Sequence, residues 1–185
     1  MKTITKSVTT KKANQLNIYS GYSYINGLNR EILCMKLLYK AYIKYGCTCG
    51  RDLPHFPTLV KYISNNNSGY ITMTHQGEDV QKLRKKRVQI LIEDDSIYKQ
   101  IDCILNILDK VNITHLDLND NGKNICINES GHISIIDFDI MYMKYFDNQN
   151  TLTPLMYKRI NKFSKTDFKE KIYNIIKTTG RVTIY

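Results

Sequence analysis

His115-Leu116-Asp117, then Asn124-Ile125-Cys126-Ile127, then Ile135-Ile136-Asp137-Phe138-Asp139 is the stretch on which the reading of this chain turns. Its short, β-branched apolar runs predict strands over Ile125–Asn128 and Ile133–Ile136, with Glu129-Ser130-Gly131-His132 as the turn between them. Two carboxylates, Asp117 and Asp137, and one amide, Asn124, then fall on loops at the ends of strands. Oxygen donors of this kind suit Mg²⁺, and a carboxylate held beside a hydroxyl takes up its proton.

Working outward, Ile97, Ile101, Ile104, Leu108 and Val111 share one side of a helix predicted from about Asp95 to Val111. An earlier helix is predicted from Tyr24 to Tyr45, with Leu28, Ile32, Met35, Leu38 and Tyr42 on one face, ended by Gly46 and the Cys47–Pro54 segment. Residues 2–12 read as one strand in which Ile4, Lys6 and Val8 alternate with small polar residues. Thr58–Ile63 and Tyr70–Met73 read as two more, joined by the turn Asn65-Asn66-Asn67-Ser68-Gly69. Gly77 and its polar neighbours break the last of these and mark a hinge. The tail predicts a helix over Asp167–Lys177, with Gly180 as a C-cap. The class is α+β.

Bulk properties set the frame. The 185 residues fit one domain or two small lobes, and 42% hydrophobic content supports a buried core. No apolar run approaches the ~20 residues that span a bilayer, and Met1-Lys2-Thr3-Ile4-Thr5-Lys6 is unlike a secretory leader. A soluble, cytoplasmic protein is expected. Five scattered cysteines suit a reducing compartment. Cys47-Thr48-Cys49 with His55 invites a zinc reading, but no second ligand pair is visible, so free loop thiols are the expectation. The net charge of +10 makes a nucleic-acid partner conceivable through Lys82-Leu83-Arg84-Lys85-Lys86-Arg87. A solvated loop and lysine-rich helix faces are the favoured account. The Ile, Asn, Lys and Tyr bias is that of an AT-rich genome, such as that of a large DNA virus; a viral chain would work in host cytoplasm or virion.

The motifs resemble the catalytic core of the protein-kinase-like superfamily, whose signatures are His-Arg-Asp-Leu-x-x-x-Asn and Asp-Phe-Gly. Asn124 and Asp137 are 13 positions apart, with strand, turn and strand between them, as in that family. The resemblance covers roughly residues 2–145 and is specific only over 115–139. It implies a truncated bilobal fold: a reduced N-lobe with one helix and a hinge over 1–77, and a minimal helical C-lobe over 78–185. It implies ATP and Mg²⁺ as cofactors and a serine/threonine protein kinase activity. Asp117 would orient the attacking hydroxyl, Asn124 and Asp137 would hold the metal, and His115 would brace the loop. Glu31 would pair with a strand lysine, either Lys6 or Lys12. Met73 would approximate the gatekeeper, and Thr74, His75 and the backbone to Gly77 would meet the adenine.

Four departures from the pattern shape the expectation. No Gly-x-Gly-x-x-Gly precedes the lysine. Asp117 to Asn124 is seven positions rather than five, which leaves Asn121 or Asp120 as alternative metal-facing residues. Asp139 replaces the glycine of Asp-Phe-Gly, as in aminoglycoside- and choline-kinase-like phosphotransferases, and His-x-Asp lacks the arginine. No Ala-Pro-Glu follows, Thr153-Pro154 being the nearest echo. Beside the active kinase, whose partner is a protein substrate or regulator, stand an inactive pseudokinase that binds a partner, a small-molecule kinase and a basic nucleic-acid-binding protein.

Overall fold

The computed structural model describes residues 2–17, 22–86, 89–118, 120–144, 147 and 165–185. These form a mixed α+β protein of small, mostly antiparallel sheets and five described helices.

The first sheet has the order β1-β3-β2, from β1 (Thr3–Val8), β2 (Leu59–Ser64) and β3 (Gly69–Thr74), all antiparallel. The central strand β3 alternates buried and half-buried residues, as a strand packed on one face must. Its register sets Lys6 opposite Ile71. The strand expected over residues 2–12 ends early, because Thr10–Ala13 turn into a short helix, α1, with Ala13 buried. Lys12 is therefore an exposed helical residue.

Helix α2 (Tyr24–Tyr45) has the bounds its periodicity predicts. Ser23 caps it by accepting from the Asn26 amide, and Gly46, at φ +69°, ends it. One flank, Ile25, Leu28, Ile32 and Met35, packs on Val8, Ile71 and Met73 beneath the sheet. The other, Cys34, Leu38 and Ala41, joins a larger core with Phe56, Ile101 and Ile104. Each buried Leu, Ile or Met among these contributes about 1.5–3 kcal/mol on burial, so α2 is fixed from both sides. That double anchoring brings Glu31, one residue before Ile32, into the interior at 1% exposure.

After β3 the chain passes Gly77 into β4 (Glu78–Asp79) and the single-turn helix α3 (Val80–Leu83), capped by the Asp79 carboxylate. Gly77 has φ +106°, and a Cβ there would lie 2.7 Å from the Ile127 carbonyl oxygen, so only glycine lets the segment pass. Next come β5 (Ile90–Ile92), α4 (Asp94–Lys110) and β6 (Ile113–His115). The hairpin of β7 (Ile125–Ile127) and β8 (Ile133–Ile135) pairs Ile125 with Ile135 and takes β4 as a third strand. Buried Gln100 of α4 holds the hairpin turn by donating to the Gly131 carbonyl and accepting from the Ile133 amide. Strand β9 (Met141–Met143) returns to pair with β6. Helix α5 (Lys165–Lys177) packs on α4, stacking Tyr173 on Tyr98 at 4.5 Å, and β10 (Val182–Ile184) runs parallel to β5. Among the described residues no helix is long and apolar enough to cross a membrane. Arg87 and Thr153-Pro154 lie outside the described residues.

Candidate active site

Strand β1 presents Lys6 to the edge of α2 and to the loop after β8. Its ammonium lies 2.8 Å from Glu31 Oε2, 2.6 Å from Asp137 Oδ1 and 3.6 Å from Asp139 Oδ2. Burial alone would lower the Lys6 pKa, but the three carboxylates outweigh it and raise it. For Glu31 burial dominates, pushing its carboxyl up to about 7 while the Lys6 charge pulls against it. Burial also raises Asp137, yet Lys6 prevails and holds it below its ordinary value. Asp139, raised by burial and then by Asp137 and Asp117, is the less satisfied acid. Asp137 itself adopts φ +64°, a left-handed conformation that aspartate tolerates better than most residues.

Between the two aspartate loops stands His115, at the end of β6. Its Nε2–H donates to the Ile136 carbonyl at 2.9 Å, so Nδ1 is the acceptor and takes the Asp117 amide at 3.1 Å. Burial lowers its pKa and keeps the ring neutral. Phe138, 1% exposed, packs edge-on against both His115 and Phe56. One imidazole thus fixes the position of Asp117 relative to Asp137.

Asn124 closes the arrangement. Its Nδ2 donates to the Asp117 carbonyl at 2.8 Å and to Asp117 Oδ2 at 3.1 Å, while its backbone carbonyl accepts from the Ile136 amide. The seven-residue spacing is thus absorbed without parting the two residues. Gly122, at φ +74°, packs against Val80 and Ile175, where a Cβ would meet Val80 at 2.7 Å. The alternatives point elsewhere: exposed Asn121 caps the Lys123 amide, and Asp120, 89% exposed, pairs with Lys171 at 3.0 Å. Asn119 lies outside the described residues.

Of the residues expected from sequence, Lys6, Glu31, Asp117, Asn124 and Asp137 are connected through direct contacts and His115. Lys12 does not join them. Met73 is a core residue between the sheet and α2. The Thr74 amide is bonded to the Thr58 carbonyl and the His75 amide to the Lys2 carbonyl, so both are already paired. A cleft of about 960 Å³ runs beside Thr74–Glu78, lined also by Tyr42, Leu53, Pro54 and Leu83. None of the five clustered residues lines it, so it is not the place where the charged groups act.

One contact had no counterpart in the sequence motifs. Arg30, beside Glu31 on α2, grips Asp147 through Nη1 at 2.5 Å and Nη2 at 2.7 Å and donates to the Met141 carbonyl. Asp147 Oδ2 in turn accepts from the Met143 amide. The bidentate fork ties α2 to the chain just after β9.

In the basic run, Lys82 pairs with Asp79 and Lys86 with Glu78, so part of its charge is neutralised locally.

No protein-family model matches the chain, and no curated protein matches it.

Proposed function

We propose that this chain is a Mg²⁺- and ATP-dependent phosphotransferase with a truncated bilobal protein-kinase-like fold, acting on serine or threonine hydroxyls of a protein. The observation that carries the reading is the convergence of Lys6, Glu31 and Asp137 in one ion cluster, with the Asp117–Asn124 pair tied to it by His115.

Two features fit a divalent cation and a nucleotide. Buried Asn124 Oδ1 has no hydrogen-bond partner among the described residues, an orphan acceptor that a metal satisfies. Three carboxylates also surround a single ammonium, an excess of negative charge that calls for a second cation. Asp137 and Asn124 are the residues that would hold Mg²⁺, which when bound neutralises charge on the nucleotide phosphates.

The roles of the protein groups follow from position. Lys6, steadied by ionised Glu31, turns its ammonium to phosphate oxygens. Asp117, oriented through its amide by His115 and through its carboxylate by Asn124, takes the proton of the attacking hydroxyl. Phosphoryl transfer asks chiefly for such positioning and charge compensation.

A second reading, an inactive protein-binding module, draws on one contact: Lys6 already occupies Asp137 Oδ1 at 2.6 Å, the carboxylate a metal needs. Transfer of radiolabelled γ-phosphate to a mixed serine/threonine peptide pool, with Asp137→Ala as control, separates the two. Incorporation that vanishes in the variant supports the enzyme; equal incorporation in both, or none in either, contradicts it.

A further inference from the structure

The connection between α2 and β2 folds against the middle of α4, and none of its cysteines or His55 touches Lys6 or Asp137. Positive φ angles at Gly46 (+69°) and Gly50 (+76°) bracket Cys47-Thr48-Cys49, whose two cysteines are half-buried. There they meet Cys103, from the buried face of α4, and His55. The four ligand atoms all lie within 4.8 Å of one another. Cys47 Sγ is 2.8 Å from Cys49 Sγ and 2.9 Å from Cys103 Sγ, and His55 Nε2 is 3.3 Å from Cys47 Sγ and 3.1 Å from Cys49 Sγ.

The contacts around this cluster are those of a ligand set. The sulfur separations exceed the ~2.05 Å of a disulfide, and no disulfide joins the cysteines. His55 Nδ1 lies 2.6 Å from the Ile133 carbonyl, which can only accept, so Nδ1 carries the proton and the Nε2 lone pair faces the sulfurs. His132 stacks on His55 with ring centres 4.5 Å apart and is itself held by the Pro54 carbonyl.

We propose that Cys47, Cys49, His55 and Cys103 form a structural site for one Zn²⁺. Three sulfurs and one imidazole make a complete tetrahedral set with no position left for water or substrate, which distinguishes it from a catalytic zinc. Soft thiolate donors exclude Mg²⁺ and Ca²⁺. Sulfurs on one zinc stand about 3.8 Å apart, given Zn–S bonds near 2.3 Å, so loading widens the cluster by about an ångström. The site joins the end of α2 and the 47–55 connection to α4 and, through the Ile133 carbonyl, to β8. It thereby fixes the helix that carries Glu31 against the half of the protein that carries Asp137.

Zinc analysis and cobalt substitution of the full chain, purified under reducing conditions, test the site. About one zinc per chain is expected, and chelator-stripped protein titrated with Co²⁺ should show intense tetrahedral ligand-field bands and a thiolate-to-cobalt band. Cys103→Ser should lose both signals, Cys126→Ser should keep them, and His55→Cys should keep a shifted tetrahedral spectrum. Should Cys103→Ser not fold, the stripped wild-type chain still decides. Absence of zinc together with a cobalt spectrum lacking thiolate bands overturns the site, as does full retention of metal by Cys103→Ser.

Discussion

Lys6 and Asp137 lie 131 residues apart in sequence and meet at 2.6 Å. The contact joins the first strand to the loop after β8, and Glu31 completes it from α2. Lys6→Met should therefore weaken Mg²⁺-ATP binding by about 10–100-fold, the range for a lost charge-assisted hydrogen bond. Lys12→Met, on the exposed face of α1, should leave it unchanged. Isothermal titration of both variants checks the assignment.

Glu31 carries a pH dependence of its own. Burial raises its carboxyl from 4.5 to about 7, so the folded chain binds this proton more tightly than the unfolded one. The stability it contributes is present below about 4.5 and is lost as pH rises through about 7. Glu31→Gln should flatten that part of the urea-unfolding profile. Pairing with Lys6 needs the ionised form, so nucleotide affinity should rise over the same interval and lose that rise in the variant.

Asp117 and Asn124 share a hydrogen bond but not a role. Asp117→Asn should lower kcat by about 10²–10⁴-fold, the usual contribution of a general base, with ATP affinity kept. Asn124→Ala removes the donor to Asp117 and the orphan oxygen together, so it should raise the Mg²⁺ concentration needed for half-maximal activity. Steady-state kinetics with varied Mg²⁺ distinguishes the two effects.

Arg30 and Asp147 form a largely buried pair, 15% and 2% exposed in their side chains. Removing one partner of such a pair strands the other, at a typical cost of about 3–5 kcal/mol. Asp147→Ala should show a loss of that order in chemical denaturation, and Arg30→Ala with Asp147→Ala together should lose much less than the sum.

Some of this was legible in the sequence for identifiable reasons. α2 was readable because its long apolar stripe runs into a glycine stop at Gly46; the Ser23 cap came from the structure. The β7–β8 hairpin followed from two β-branched runs around a glycine turn. Lys6 and Lys12 could not be separated by spacing; the strand that ends at Val8 and turns into α1 separates them. The Asp117–Asn124 pairing was obscured by a longer loop, whose extra residues pack through Gly122 without displacing either end. Two sets of long-range partners were invisible. Cys103 reads as one apolar position of α4 until the 46–55 connection folds onto it, and Asp147 lies 117 positions from Arg30. The β5–β10 pair was missed because three-residue strands carry too little periodicity to stand out.

The most direct test of the phosphotransferase reading is Mg²⁺-dependent ATP binding and γ-phosphate transfer by the intact chain, beside Asp137→Ala and Asp117→Asn. The account predicts ATP binding that requires Mg²⁺ in the wild type, is lost in Asp137→Ala, and persists without turnover in Asp117→Asn. Phosphate transfer unchanged by Asp137→Ala, or a wild-type chain that neither binds nor turns over ATP with Mg²⁺, would contradict it.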